Sequence, residues 1–494
     1  MPRTSLRRTL SRAVLAVALA LSLTSVATGD TGENSAAPGR PFTNPVKAQK
    51  GADPWIEYHD GNYYLVTTSW TSVLTMRKSP TLAGLATAPS VQVWAGDQSS
   101  RCCNFWAPEL HPANGRWYLY FSGGPSGTDY ARDQRTHVLE SAGSDPMGPY
   151  TYKNKLFAPG NDVGLIDGSV LELNGQRYLL GSVWGATQNL VIAPMSNPYT
   201  VSGALTTIST PTHSWERQDG TVNEGAEPLY HNGKTFIVYS ASACWGPNYK
   251  LGLLTHNGGN PLSASSWTKA PQPVFQRSDA NSVFGPGHNG FFTSPDGTED
   301  WIVYHANDGV GDGCDNNRTT RAQRFTWNAD GTPNFGTPVR LGTTLAGPSG
   351  ETAATPAAYT IVNRNSGKCL QVSGSADGAA TTQAACTGAS GQRWRFDDLA
   401  DDTSRVVNAG SGKVLDVADC ATTDGAATRQ WSWLDNTCQR FRPVVTEQGG
   451  WVRLTNLNSG KVLDVADCGT ADGAAVRQWT WLNNTCQQWR LQPV

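Results

Sequence analysis

The sequence predicts an all-β protein, a five-bladed β-propeller followed by a β-trefoil. Three observations point there. Five hairpin-like units recur between about residues 50 and 345, their turn glycines 54 to 64 residues apart. A second, tighter repeat of 48 residues fills the C-terminal part. Few segments show a 3.6-residue apolar period, while the 494 residues include 52 Gly and 18 Trp, a composition suited to short strands and tight turns.

The N-terminus sets the compartment. Arg3, Arg7, Arg8 and Arg12 precede an apolar run from Ala13 to Leu23 and a small-residue stretch from Thr24 to Gly29. That order is an export signal, assigned to residues 1–28. The run is shorter than the roughly 20 apolar residues of a membrane span, and no later segment suits one better. Residues 29–42 have no periodicity able to bury a face and are expected to be disordered. The reading is therefore a secreted, extracellular protein. Its 10 cysteines favour disulfides over a metal cluster, and 38 basic against 40 acidic residues give no reason to expect a nucleic-acid partner.

Residues 43–345 form the predicted propeller. Gly61-Asn62-Tyr63-Tyr64, Asn114-Gly115-Arg116-Trp117, Asn174-Gly175-Gln176-Arg177, Asn232-Gly233-Lys234-Thr235 and Asp296-Gly297-Thr298-Glu299 open the five hairpins. Asn-Gly and Asp-Gly pairs tolerate positive φ, and the aromatic and aliphatic runs beyond them suit strands. One such unit holds four short strands, the content of a blade. A β-sandwich would supply alternating strands but not five evenly spaced hairpins.

Chemistry is expected just before each hairpin. There stand Ala52-Asp53-Pro54, Trp106-Ala107-Pro108-Glu109, Ile166-Asp167-Gly168, Asn223-Glu224-Gly225-Ala226-Glu227 and Gly287-His288-Asn289. The first strand of every blade lines the central channel, so these positions converge. Gathering like charges raises at least one carboxyl pKa, a cost that function explains. Glycosidic hydrolysis needs such a set: a protonated carboxyl to serve the leaving oxygen and a carboxylate to activate water. Glu224 is the candidate acid, Asp53 the base, and Asp167 the group that raises and orients the acid. Any one of these acids alone equally suits a turn cap. Trp106 is placed to stack on a sugar face, with core packing as the alternative. Arg318 and Arg321 follow the fifth hairpin, where one of them bonds the sugar or both form surface ion pairs.

The whole first module resembles glycoside hydrolase family 43, a five-bladed family of inverting enzymes. The resemblance assigns the same roles to Asp53, Asp167 and Glu224. Ala226 stands where that family usually has Pro, which keeps Glu227 as a second candidate acid. His288 resembles the family histidine near an axial calcium or sodium ion. No cofactor is required for the chemistry. Cys102 and Cys103 pair with each other or with distant partners such as Cys244 or Cys314. The run Gly311 to Asn317 looks like part of a calcium loop but lacks its terminal Glu and helical flanks.

After a linker at residues 346–358, residues 359–494 carry three copies of a β-rich unit. Lys413 to Cys420 recurs as Lys461 to Cys468, and Trp431 recurs as Trp479. A divergent first copy starts at Lys368 and closes at Trp394. This module resembles ricin-type lectin domains, also called carbohydrate-binding family 13. The resemblance implies sugar sites at Asp416, Trp431 and Gln439, and at Asp464, Trp479 and Gln487. Copy one has Gln371 and Ala384 instead, so its site is expected to be weak or lost. It also suggests disulfides Cys369–Cys386, Cys420–Cys438 and Cys468–Cys486.

The expected function is release of terminal α-L-arabinofuranosyl residues from plant arabinan, arabinoxylan or xylan by a monomer held on the polymer. Thr136 to Ser141 looks most like the secreted arabinofuranosidases of the resembled family. A β-xylosidase or endo-arabinanase of the same family is the alternative, and a non-catalytic carbohydrate-binding protein the rival of a different class.

Overall fold

The computed structural model describes residues 39–127 and 130–494. The expected export signal at residues 1–28 lies outside them. Five consecutive four-stranded antiparallel units match the five hairpins. Blade one is Trp55–His59, Asn62–Val66, Val73–Ser79 and Val91–Ala95. Blade two runs Cys103–Ala113, Arg116–Gly124, Arg135–Ser141 and Tyr150–Lys155. Blade three runs Leu165–Leu173, Gln176–Trp184, Gln188–Asn197 and Thr206–Ser209. Blade four runs Asn223–His231, Lys234–Ala241, Lys250–His256 and Trp267–Lys269. Blade five runs Phe284–Thr293, Asp300–Asn307, Thr319–Trp327 and Pro333–Asn334.

The hairpin turns explain the spacing. Asp60, Asn114, Asn174 and Asn232 have φ between 46° and 53°, and each is followed by a glycine between 71° and 76°. Two successive positive φ values give the turn whose twist matches the flanking strands. Blade five departs from this pattern. Its turn is longer, and Asp296 organises it by accepting from Ser294 Oγ at 2.7 Å and the Thr298 amide at 3.1 Å.

A residue near the start of each inner strand has positive φ: Asp53 (50°), Ala107 (43°), Asp167 (54°), Gly225 (53°) and His288 (46°). Register shifts mark the same points in blades two to five. In a regular strand, neighbouring side chains face opposite ways; a bulge breaks that alternation and turns two consecutive side chains toward the channel.

The ring is closed from the N-terminal side. Val46 donates its amide to Thr320 O at 2.8 Å, and Thr320 returns one to Lys47 O at 2.9 Å. Gly39–Thr43 pairs antiparallel with Thr344–Gly347. This corrects one expectation. Residues 39–42, inside the segment expected to be disordered, belong to a strand with a partner. The segment 346–358 is anchored to the propeller as well, since Ser349 bonds Asp296 and Glu351 accepts the Leu82 amide at 2.8 Å.

The second module is a trefoil of three four-stranded copies, closed by pairing Tyr359–Asn363 with Trp489–Pro493. Buried glutamines knit the copies in a cycle. Gln383, Gln430 and Gln478 each donate to backbone carbonyls of a neighbouring copy, at 2.7, 3.0 and 2.7 Å for the shorter bond. The two modules share one core. Val91 and Val93 of blade one cluster with Tyr359, Phe441 and Val452 of the trefoil, and Gln92 pairs in parallel with Val444. Cations on the propeller side meet anions on the trefoil side: Arg77 to Asp398 at 2.6 Å and Lys50 to Asp402 at 2.7 Å.

Candidate active site

The three predicted acids converge. Asp53, Asp167, Glu224, His288, Trp106 and Arg318 all line one cavity of about 590 Å³. The bulges also refine the equivalence read from the sequence. Asp53, Asp167 and His288 occupy the positive-φ position of their blades. Glu224 sits one residue earlier, at the position of Trp106 and Ile166, with Gly225 taking the bulge. Gly225 answers two demands there. Its φ of 53° disfavours a side chain, and a Cβ would come within 3.2 Å of the His288 ring.

A second ring, absent from the sequence reading, holds the first. Opposite the inner positions of blades one to five stand Thr68, Ser122, Ser182, Ser240 and His305. Four of these five accept the bulge amide of the next blade: Ala107 to Thr68 Oγ1 at 2.8 Å, Asp167 to Ser122 Oγ at 3.1 Å, His288 to Ser240 Oγ at 2.8 Å, and Asp53 to His305 Nδ1 at 3.1 Å. The cycle changes between blades three and four. There the Gly225 amide points to Asp167 Oδ2 at 3.4 Å, and the Ser182 hydroxyl has no protein partner. The interruption ties Asp167 to the strand that carries Glu224.

Electrostatics divide the acids. Asp53 accepts from Thr68 Oγ1 at 2.5 Å and Arg318 Nη1 at 3.2 Å, and His288 Nδ1 lies 3.3 Å away. Burial, the largest influence, would raise its carboxyl, but the charges of His288 and Arg318 hold it well below the usual range. His305 Nδ1 is also 3.2 Å from Asp53 Oδ1. Burial and Arg318 push this imidazole down to about 4. The neutral ring then accepts the Asp53 amide, leaving Arg318 and His288 as charged partners of the carboxylate. His288 itself is raised: burial opposes its charge, but Asp53, Asp167 and Glu224 outweigh it.

Glu224 has the opposite setting. Burial raises its carboxyl and Asp53 adds to the effect, against His288 and a hydrogen bond from Tyr249. Gln188 Nε2 donates to Oε2 at 2.8 Å and the Tyr249 hydroxyl to Oε1 at 2.7 Å. Asp167 is pushed up to about 7 by burial, with Glu224 and Asp53 adding to the rise and His288 opposing it. Two carboxyls that favour protonation thus face one that stays ionised, the separation that acid–base hydrolysis requires.

Glu227 lies outside the cavity lining, where it accepts from Ser169 Oγ at 3.1 Å and contacts Glu109. Trp106 lines the cavity with its ring edge against Trp70, 5.2 Å between centroids. Arg321 is a correction: it is fully buried, bonded to Asp308 at 2.5 Å and Thr319 at 2.9 Å, and faces away from the cavity that Arg318 lines. Among the described residues, no group of three or more His, Cys, Asp or Glu is arranged to hold an ion. His288, with Nδ1 at 3.3 Å from Asp53 Oδ1, is a charge partner of the acids. Cys102 pairs with Cys103, and Cys244 with Cys314, which ties a blade-four loop to a blade-five loop at the cavity wall.

The trefoil disulfides are Cys369–Cys386, Cys420–Cys438 and Cys468–Cys486. The residues expected to bind sugar there are linked to one another. Asp416 is buried and bonded to Arg429 Nε at 2.8 Å, and the same guanidinium lies 4.2 Å from the Trp431 ring centre. Asp464, Arg477 and Trp479 repeat this at 3.0 and 4.3 Å. Gln439 and Gln487 are fully buried; each closes a loop by donating to a backbone carbonyl at 2.9 Å and accepting an amide at 2.7 Å. They are loop braces, corrected from free sugar contacts. Copy one has no equivalent triad: Gln371 accepts from Gln392 at 3.1 Å.

The chain matches the family model for glycosyl hydrolases family 43 over residues 42–333. It matches the model for ricin-type beta-trefoil lectin domain-like sequences over residues 344–431 and 437–494. An extracellular exo-alpha-(1->5)-L-arabinofuranosidase of Streptomyces avermitilis is 42% identical over 352 residues, 69% of this chain and 72% of the relative. Alpha-L-arabinofuranosidase 43 of Humicola insolens is 39% identical, covering 63% of this chain and 66% of the relative. Among solved structures, an alpha-L-arabinofuranosidase from Lactobacillus brevis aligns at a TM-score of 0.57 with 33% identity, over 61% of this chain and 98% of that one.

Proposed function

The chain belongs to glycosyl hydrolases family 43, and from that premise we propose that it is an extracellular, inverting exo-α-L-arabinofuranosidase acting on arabinan or arabinoxylan. One observation carries the reading: in a single cavity, Asp53 is held ionised by Arg318 and His288 while Glu224 is held toward its protonated form. Asp53 takes the proton from a water that attacks the anomeric carbon, and Glu224 gives its proton to the leaving oxygen. Asp167 orients the strand that carries Glu224 through the Gly225 amide, while burial and the charge of Asp53 keep Glu224 toward its protonated form. Arg318 stays charged throughout and keeps the base ionised.

Exo action is supported by the relative named as an extracellular exo-alpha-(1->5)-L-arabinofuranosidase. Trp70, Trp106, Trp184, Trp245 and the Cys244–Cys314 bridge line the cavity from all five blades. The curated relatives named as arabinofuranosidases support the choice of sugar. The trefoil holds the polymer, and the catalytic site is complete within one chain, so a monomer suffices. The test is product analysis on arabinan, arabinoxylan and xylan, with the anomer followed by NMR. Arabinose released first as the inverted β-anomer is expected. Xylose from xylan, or arabino-oligosaccharides from arabinan, would overturn the sugar or the exo assignment.

A further inference from the structure

We infer that Trp184 and Trp245 form the platform for the sugar unit that carries the leaving oxygen, the penultimate residue of the polymer chain. This rests on the arabinofuranosidase reading above and adds a substrate-selecting site to it.

Glu224 must touch the leaving oxygen, so the departing sugar lies on its side of the cavity and not on the side of Asp53, Thr68 and Arg318. Both tryptophans spring from strands that flank Glu224. Trp184 is paired across the blade-three hairpin with Gln188, whose Nε2 holds Glu224 at 2.8 Å. Trp245 follows Lys234–Ala241, in which Ser240 stands opposite Glu224 and Ala241 opposite Asn223.

Their state fits a stacking surface. Trp184 is 40% and Trp245 56% exposed, although both line the cavity. Trp245 is nevertheless pinned: its Nε1 donates to Asp219 O at 2.8 Å, and the Asp219 carboxylate accepts the Asn248 amide at 2.7 Å. Gly220 lets the backbone pass beneath the indole, since a Cβ there would stand 2.8 Å from the ring. The adjacent Cys244 is bridged to Cys314. A large apolar face left in water yet fixed in place costs little further ordering when a ring stacks on it.

The test compares kcat/KM on α-1,5-linked arabinotriose with kcat/KM on α-L-arabinofuranosyl fluoride, which fills the pocket but has no leaving sugar. In Trp184→Ala and Trp245→Ala the ratio of the first to the second should fall roughly tenfold, the loss of one well-placed contact. Trp184→Phe, which keeps an aromatic face, should bring the ratio back to within about threefold of the parent enzyme. A ratio within about twofold of the parent in both alanine variants would overturn the platform alone. No turnover of either substrate by the parent enzyme would overturn the arabinose reading, and the platform with it.

Discussion

The amide of Asp53 donates to His305 Nδ1 across 3.1 Å, at the seam where blade five meets blade one. In blades one, two and four the corresponding acceptor is a hydroxyl. At the seam it is an imidazole that also lies against the carboxylate of the same residue and stacks on Tyr249, 5.5 Å between centroids at an interplanar angle of 2°. Tyr249 in turn holds Glu224. Base and acid are therefore braced by two rings in contact. Replacing His305 by Ala removes an acceptor for a buried amide and a support for Tyr249. A loss of about 1–3 kcal/mol in stability is expected by thermal or urea unfolding, together with a lower kcat.

Glu224→Gln keeps the shape of the acid but has no proton to give. With a sugar leaving group, kcat should fall by about 10²–10⁴-fold. With a nitrophenyl leaving group, which departs without protonation, the loss should be far smaller. Equal losses on both substrates would remove Glu224 from the acid role.

The pH profile should be bell-shaped. Activity falls on the acid side as Asp53 is protonated, and on the alkaline side as Glu224 loses its proton. Tyr249 donates to Glu224 and so favours its ionised form. Tyr249→Phe should therefore move the alkaline limb upward in pH while lowering kcat, a combination readable from kcat/KM against pH.

Asp167 carries a stability cost. Its carboxyl is pushed up to about 7 in the folded chain against an ordinary value of 3.8. Between those values the folded state binds more protons than the unfolded one, so stability declines as pH rises through that window. Asp167→Asn removes the slope. Its Tm relative to the parent should be higher at pH 8 than at pH 4, on the order of 3 °C, while activity drops.

Polymer retention should depend on the trefoil tryptophans. Trp431→Ala or Trp479→Ala should each weaken binding to insoluble arabinan about tenfold or more, and the double variant should nearly abolish it, as expected when two weak sites act together. Retention unchanged in the double variant would place the polymer contact elsewhere.

Legibility followed the range of the interactions. Asn114-Gly115 announces its turn because the constraint, two positive φ values, is local. Asp53, Asp167 and Glu224 were readable because each stands seven or eight residues before such a turn. Gln188, Tyr249 and His305 act from second and third strands, whose approach depends on register, and were missed. A signal for one set was present: Thr68, Ser122, Ser182, Ser240 and His305 recur at the far end of each second strand. Arg321 was misplaced for a related reason. It lies three residues beyond Arg318, inside Thr319–Trp327, where pairing and burial turn it to Asp308. In the trefoil, the sequence located Asp416 and Trp431 but not the arginine that joins them, because Arg429 meets Asp416 only across the hairpin.

The joint between the modules has a consequence for the insoluble substrate. Shared core, a paired strand and the Arg77–Asp398 and Lys50–Asp402 contacts hold the trefoil against the propeller. A flexible tether would let the enzyme search every chain end within reach of its anchor. A stiff joint instead sets one span, so that only ends lying at that distance from an anchoring point are presented to the pocket. On a tightly packed cell wall, the enzyme would then trim at intervals fixed by its own dimensions and advance by letting go and landing again.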